Sequence, residues 1–229
     1  MPAAWLVALA WFALAVAFAS AAWISFDIGV RGYRQHMKIM DVVWPVTALY
    51  FGPAAVAAYR AWGRPQTHRW QQQHGDPQVT RGYASTAVGV SHCGAGCALG
   101  DIVAEFTVFA LAATVAGLTL GAEYIADYLA AISLGIVFQY LAIAPMRGLS
   151  LRKGLAAAAK ADVASLTAFE VGLFGWMAVM AFVLFPAPHQ LAPNSPVFWF
   201  LMQLGMMIGF ATSWPVNAWL IRVGIKEAM

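Results

Sequence analysis

The residues of this chain whose types and spacing offer the most chemistry are His92, Cys93 and Cys97, followed by Asp101 and Glu105. Cys93, Cys97, Asp101 and Glu105 are spaced by four. On a helix each step of four advances about 40°, so the set shares an arc of about 120°. Two thiols at that spacing have nearly parallel Cβ vectors, which disfavours a disulfide between them. The pair suits a soft cation such as copper(I), with His92 as a third donor. Asp101 and Glu105, one and two turns further along, would pass protons or steady a cation.

Other side chains extend this constellation. Met202 and Met206 stand at i, i+4 and offer soft thioethers for an inner relay. Glu170 falls near the middle of a later apolar segment and Asp162 near its start. Glu123 and Asp127 sit at an end of the segment between. No Lys or Arg is placed to pair with Asp101, Glu105 or Glu170. Intramembrane carboxylates without basic partners mark proton or cation paths. The structural alternatives are plain. Buried Cys packs as a small hydrophobe and Met fills gaps, and the acids can hydrogen-bond to Thr107, Thr167, Gln139 or Tyr140.

The elements that must position these residues are set by composition. Of the 229 residues, 62% are hydrophobic and 10% charged. So few charged side chains cannot cover a soluble domain, and a water-soluble enzyme, a disordered chain and a disulfide-stapled module are all excluded. Spanning a bilayer takes roughly 20 mainly apolar residues. Six segments qualify: 4–26, 40–61, 87–119, 124–146, 160–185 and 197–221. The expected fold is all-α, a single polytopic membrane domain over 1–229 with about six transmembrane helices. Residues 1–26 read as a retained first helix rather than a cleaved signal, because no basic region precedes them. Residues 62–83 form a polar connecting loop.

Basic residues set the orientation. With six spans and both termini cytoplasmic, the Lys and Arg fall mostly inside, but Arg31, Arg34 and Lys38 fall outside, against the usual asymmetry. The alternative makes 40–61 re-entrant. It leaves five spans, an external N-terminus and every basic loop on the cytoplasmic side. Both arrangements place the C-terminus in the cytoplasm.

Several linked motifs carry a family resemblance. They are His92-Cys93-Gly94-Ala95-Gly96-Cys97 with Leu99-Gly100-Asp101, then Ala144-Pro145-Met146-Arg147-Gly148, Thr167-Ala168-Phe169-Glu170, and Gly209-Phe210-Ala211-Thr212-Ser213 with Pro215 and Asn217. Together they resemble the bacterial membrane family known as domain of unknown function 4396, over roughly residues 27–229. The resemblance implies a multi-helix integral protein of the bacterial inner membrane. It implies no activity, and it places the His-Cys-x3-Cys element, Asp101 and Glu170 in the characteristic pattern of the family.

The functional expectation is a membrane protein that binds or transports a soft metal ion, copper(I) first. His92, Cys93, Cys97, Met202 and Met206 would be ligands, and Asp101, Glu105, Glu170 and Asp162 the proton or cation path. One rival is a membrane redox protein. Its haem form is disfavoured because only His92 lies near a span interior. Another is a structural or assembly subunit. Expected partners are membrane lipid and either a metal chaperone or a membrane complex, with oligomers allowed and no nucleic acid. None of the familiar hydrolase or nucleotide-binding signatures is present.

Overall fold

The computed structural model describes residues 2–75, 82–148 and 150–226, with the side chains of 143–147 outside the description. Arg81 and the Arg147 side chain, counted among the inside basic residues of the orientation reading, therefore lie outside the described residues, as do the side chains of Ala144-Pro145-Met146. The regular structure of the described residues is helical, apart from two isolated bridges. Five helices are long and apolar enough to cross a bilayer: α1 (Ala4–Gly29), α5 (Tyr83–Leu111), α6 (Thr119–Arg147), α7 (Leu151–Val179, continued by a π turn, Met180–Leu184) and α8 (Pro196–Arg222). The protein is an integral membrane protein.

The second apolar segment does not form a sixth continuous span. It makes two short helices, α2 (Met40–Phe51) and α3 (Pro53–Ala58). Twelve residues of helix rise only about 18 Å, short of a bilayer core of about 30 Å. Gly52 sits between them at φ 54°, in a backbone region open to glycine, and Pro53 starts α3. The chain then doubles back and, past the hairpin, forms a short helix, α4 (His68–His74). Gln35 and Thr67 form an antiparallel bridge across the base of this hairpin. Trp44, 1% exposed, lies against the backbone of Gly63. Both ends of the hairpin thus sit at one end of the bundle, as in the five-span alternative. Its tip reaches deep inside, where Gln203 of α8 donates to the Leu49 carbonyl at 2.6 Å.

Gly63 is needed for this closure. A Cβ there would stand 2.5 Å from the Trp44 ring. Gly63→Ala is expected to lower the melting temperature in detergent, and Gly29→Ala, which meets nothing within 4 Å, is not. At its base the hairpin is also tied to α1. Asp27, fully buried, accepts from the Tyr59 hydroxyl at 3.0 Å and pairs with Arg64 at 3.3 Å. Burial and the Asp27 carboxylate push the Tyr59 phenol up, which keeps it a donor.

Helix α5 forms the centre of the bundle. Over its apolar window 56% of residues are buried, against 22% for α1. Its small residues allow α6 to approach closely and antiparallel, Gly96 against Gly135 and Gly100 against Ala131. Helices α7 and α8 pack antiparallel through Gly172, Gly205 and Gly209. Apolar side chains such as Trp5, Phe12, Leu129, Val171 and Phe182 point outward, as a hydrocarbon solvent requires.

Charge is polarised along this bundle. Arg31, Arg34, Lys38, Arg60, Arg64, Arg69, Arg152, Lys153 and Arg222 cluster at the end that holds the base of the hairpin. The described connections at the other end, 112–118 and 185–195, contain no Lys or Arg.

Candidate functional site

The polar face of α5 points into the bundle. His92, Cys93, Cys97, Asp101 and Glu105 are all fully buried. Starting at the basic end, Asp162 of α7 pairs with Lys226 at 2.6 Å, both inaccessible. The Lys226 ammonium also donates to Asn217 Oδ1 at 2.8 Å and reaches the Gly89 carbonyl at 3.5 Å. Asn217 Nδ2 donates to Ser165 Oγ at 2.6 Å and to Ser213 Oγ at 2.8 Å. Ser165 in turn donates to Cys93 Sγ at 3.1 Å. Three helices, α5, α7 and α8, thus share one continuous hydrogen-bonded cluster.

Deeper in the bundle the partners change. Cys97 adjoins Cys93 and Glu170 of α7. The Tyr50 hydroxyl, brought in by the hairpin tip, stands 2.9 Å from where a Cβ of Gly94 would be, and among the described residues it has no hydrogen-bond partner. Asp101 follows one turn on, in the field of Glu170, Asp127 and Glu105. Glu105 then faces Asp127 of α6, and Glu123 lies beyond it. Glu123 lines an open pocket of about 320 Å³ at the far end, with Thr119, Met177, Gln190 and Pro193. Among the described residues, neither carboxylate oxygen of Asp101, Glu105, Asp127 or Glu170 has a hydrogen-bond donor. Carboxyl groups thus stand next to one another in a low-dielectric core.

The soft-donor set is only partly gathered. Cys93 and Cys97 are side by side, and Met206 belongs to the same apolar cluster. Met202 packs in a separate cluster with Ala10, Leu173 and Met177. His92 turns toward α6, its ring edge-on to Phe138 at 6.3 Å. The reason is helical. Successive residues point about 100° apart, so His92 and Cys93 cannot serve one ion from a regular helix. Among the described residues no three His, Cys, Asp or Glu side chains are arranged to hold a metal.

The structure adds two placements to the expectations. Asp162 has a basic partner, because the chain after α8 turns back at Gly224 and brings Lys226 to it. Asp127, towards one end of its segment, still points inward. It is fully buried and shares its site with Glu105. Sequence reasoning missed Lys226, Ser165 and the inward face of Asp127. The available signal was Ser165, Ser213 and Asn217 recurring as polar residues within otherwise apolar segments.

Residues 83–226 match the family described as Domain of unknown function (DUF4396). The chain belongs to this family. Its matched region opens on Tyr83, the first residue of α5, and closes on Lys226. It thus contains every member of the buried polar file except Tyr50. Helix α1 and the hairpin lie outside it, so it is shorter than the 27–229 suggested by the motifs. No curated protein and no solved structure matches the chain. DUF4396 therefore identifies the helices that hold the polar file, and the chemistry has to be argued from the file itself.

Proposed function

We propose that this protein conducts protons or small cations across the bacterial cytoplasmic membrane along the inner face of α5. One observation carries the reading: a file of buried ionisable and hydroxyl groups runs from the pocket at Glu123, through Glu105, Asp127, Asp101, Glu170, Cys97 and Cys93, to Asp162. Placing such groups in a membrane interior is costly, and a bundle that only needed to pack would fill those positions with apolar side chains. The stacked carboxylates, held without donors, fit groups that share protons or a passing cation. The basic end faces the cytoplasm in this reading, by the usual bias of Lys and Arg, and the C-terminus lies there with it.

The test is flux in liposomes. Purified protein is reconstituted with a pH-sensitive dye inside, and a potassium diffusion potential drives protons inward. The expected result is a dye response well above protein-free vesicles, slowed in Glu170→Gln. A response equal to protein-free vesicles, for protons and for sodium and potassium alike, would overturn the reading.

The adjacent thiols favour a second reading, in which the cation is soft and Cys93 with Cys97 is its station, without His92 or Met202. Reduced protein is then expected to bind about one equivalent of copper(I), as two thiolates suit that ion. Equal binding by the Cys93→Ser, Cys97→Ser variant, measured by equilibrium dialysis, removes the soft-metal reading and leaves proton conduction standing.

A further inference from the structure

The basic end of the file is closed by the chain's own cation. Gly224, at φ 72°, reverses the chain after α8. That turn drives the Lys226 side chain back between α5, α7 and α8 until it is 2% exposed. Its ammonium sits in a cage of oxygens: Asp162 Oδ1 at 2.6 Å, Asn217 Oδ1 at 2.8 Å and the Gly89 carbonyl at 3.5 Å. The oxygens come from three helices, so the cage belongs to the bundle and not to the C-terminal segment. One further buried oxygen of the cage, Asp162 Oδ2, has no hydrogen-bond partner among the described residues. A cage with a spare anionic oxygen offers more than one ammonium uses. An anionic oxygen with neutral carbonyl oxygens is a donor set that hard cations accept. A lysine ammonium is a compact point charge on a flexible stem.

We propose that the Asp162–Asn217–Gly89 cage is a site for a small monovalent cation, and that Lys226 occupies it as a tethered plug. Withdrawal of the Lys226 side chain vacates the cage and opens the file toward Cys93, two hydrogen bonds away through Asn217 and Ser165. The proposal deepens the conduction reading and rests on it for its purpose, but it is tested without flux.

The reporter is Cys93, in a Cys97→Ser background, labelled in detergent by a small cationic methanethiosulfonate. With Lys226 intact the buried thiol should react slowly. Lys226→Ala should react about tenfold faster or more, since reagents reach buried groups only through open states. Lys226→Arg, which keeps a cation in the cage, should stay slow. Sodium or potassium should slow labelling of Lys226→Ala, and choline, too large for the cage, should not. Lys226→Ala leaves Asp162 unpaired and can fail to fold. The double variant Lys226→Ala, Asp162→Asn removes both charges together and keeps the accessibility arm readable. Unchanged labelling in the folded double variant overturns the plug. Faster labelling without sodium or potassium protection in Lys226→Ala overturns the cation site. Fast, protected labelling in a protein without flux keeps both and overturns conduction instead.

Discussion

Asp101→Asn is expected to remove most of the proton flux while the bundle stays folded. Asp101 is fully buried and neither oxygen has a donor, so no hydrogen bond of the fold depends on its charge. Asparagine has the same shape and leaves the packing of α5 on α6 unchanged. What it loses is the ability to take up and release a proton. Asp101 is the single ionisable residue of α5 between Cys97 and Glu105, which are separated by about 12 Å of helix rise. A relay along α5 alone fails over such a gap. Flux should fall about tenfold or more, equal to about 1.4 kcal/mol of added barrier. The melting temperature should stay level or rise, because a buried carboxyl without a partner is costly. Asp162→Asn is expected to do the reverse. It leaves the Lys226 ammonium buried and unpaired, at a cost of about 3–5 kcal/mol. Its melting temperature in detergent should fall clearly. An Asp101→Asn variant with undiminished flux and normal stability would remove Asp101 from the path.

The contrast between these two acids marks what the sequence reveals and what it hides. A step of four along α5 was legible because helical periodicity maps spacing directly onto one face, so Cys93, Cys97, Asp101 and Glu105 were expected to align, and they share the inward side. Five of the apolar segments were equally legible, since length and hydropathy alone decide a span. The hairpin was legible only as an alternative. Its apolar residues satisfy the same hydropathy rule, and the decisive facts are the break at Gly52 and the contact of Trp44 with Gly63. Lys226 was hidden for a different reason. Its partners are Asp162, 64 residues earlier, and Gly89, 137 residues earlier, and no local pattern reports pairings of that separation. His92 misled for the opposite reason. Adjacency to Cys93 in sequence suggested a shared ligand set, but on a regular helix neighbours diverge.

Gly100→Leu is expected to be the most destabilising single substitution in the spans, because it strikes the contact that holds the file together. The Cβ of any residue at position 100 would lie 2.6 Å from the Ala131 nitrogen and 2.8 Å from the Ala130 carbonyl carbon. Both are backbone atoms of α6, so relief requires moving a whole helix, not turning one side chain. Overpacking of this kind costs up to about 3 kcal/mol or more. Gly175 of α7 provides the control, since a Cβ there meets nothing within 4 Å, and Gly175→Ala should be neutral or slightly stabilising. The damage at position 100 should extend beyond stability. Helix α6 carries Asp127, and one residue beyond Gly100 lies Asp101. Pushing α6 away separates Glu105 from Asp127 and widens the file at that carboxylate contact. Gly100→Ala, a smaller intrusion at the same point, should retain a folded bundle with a reduced melting temperature and altered flux. Thermal unfolding in detergent and flux in liposomes on the same preparations separate the two effects. A Gly100→Leu protein as stable as the parent would show that α5 and α6 do not meet at this glycine.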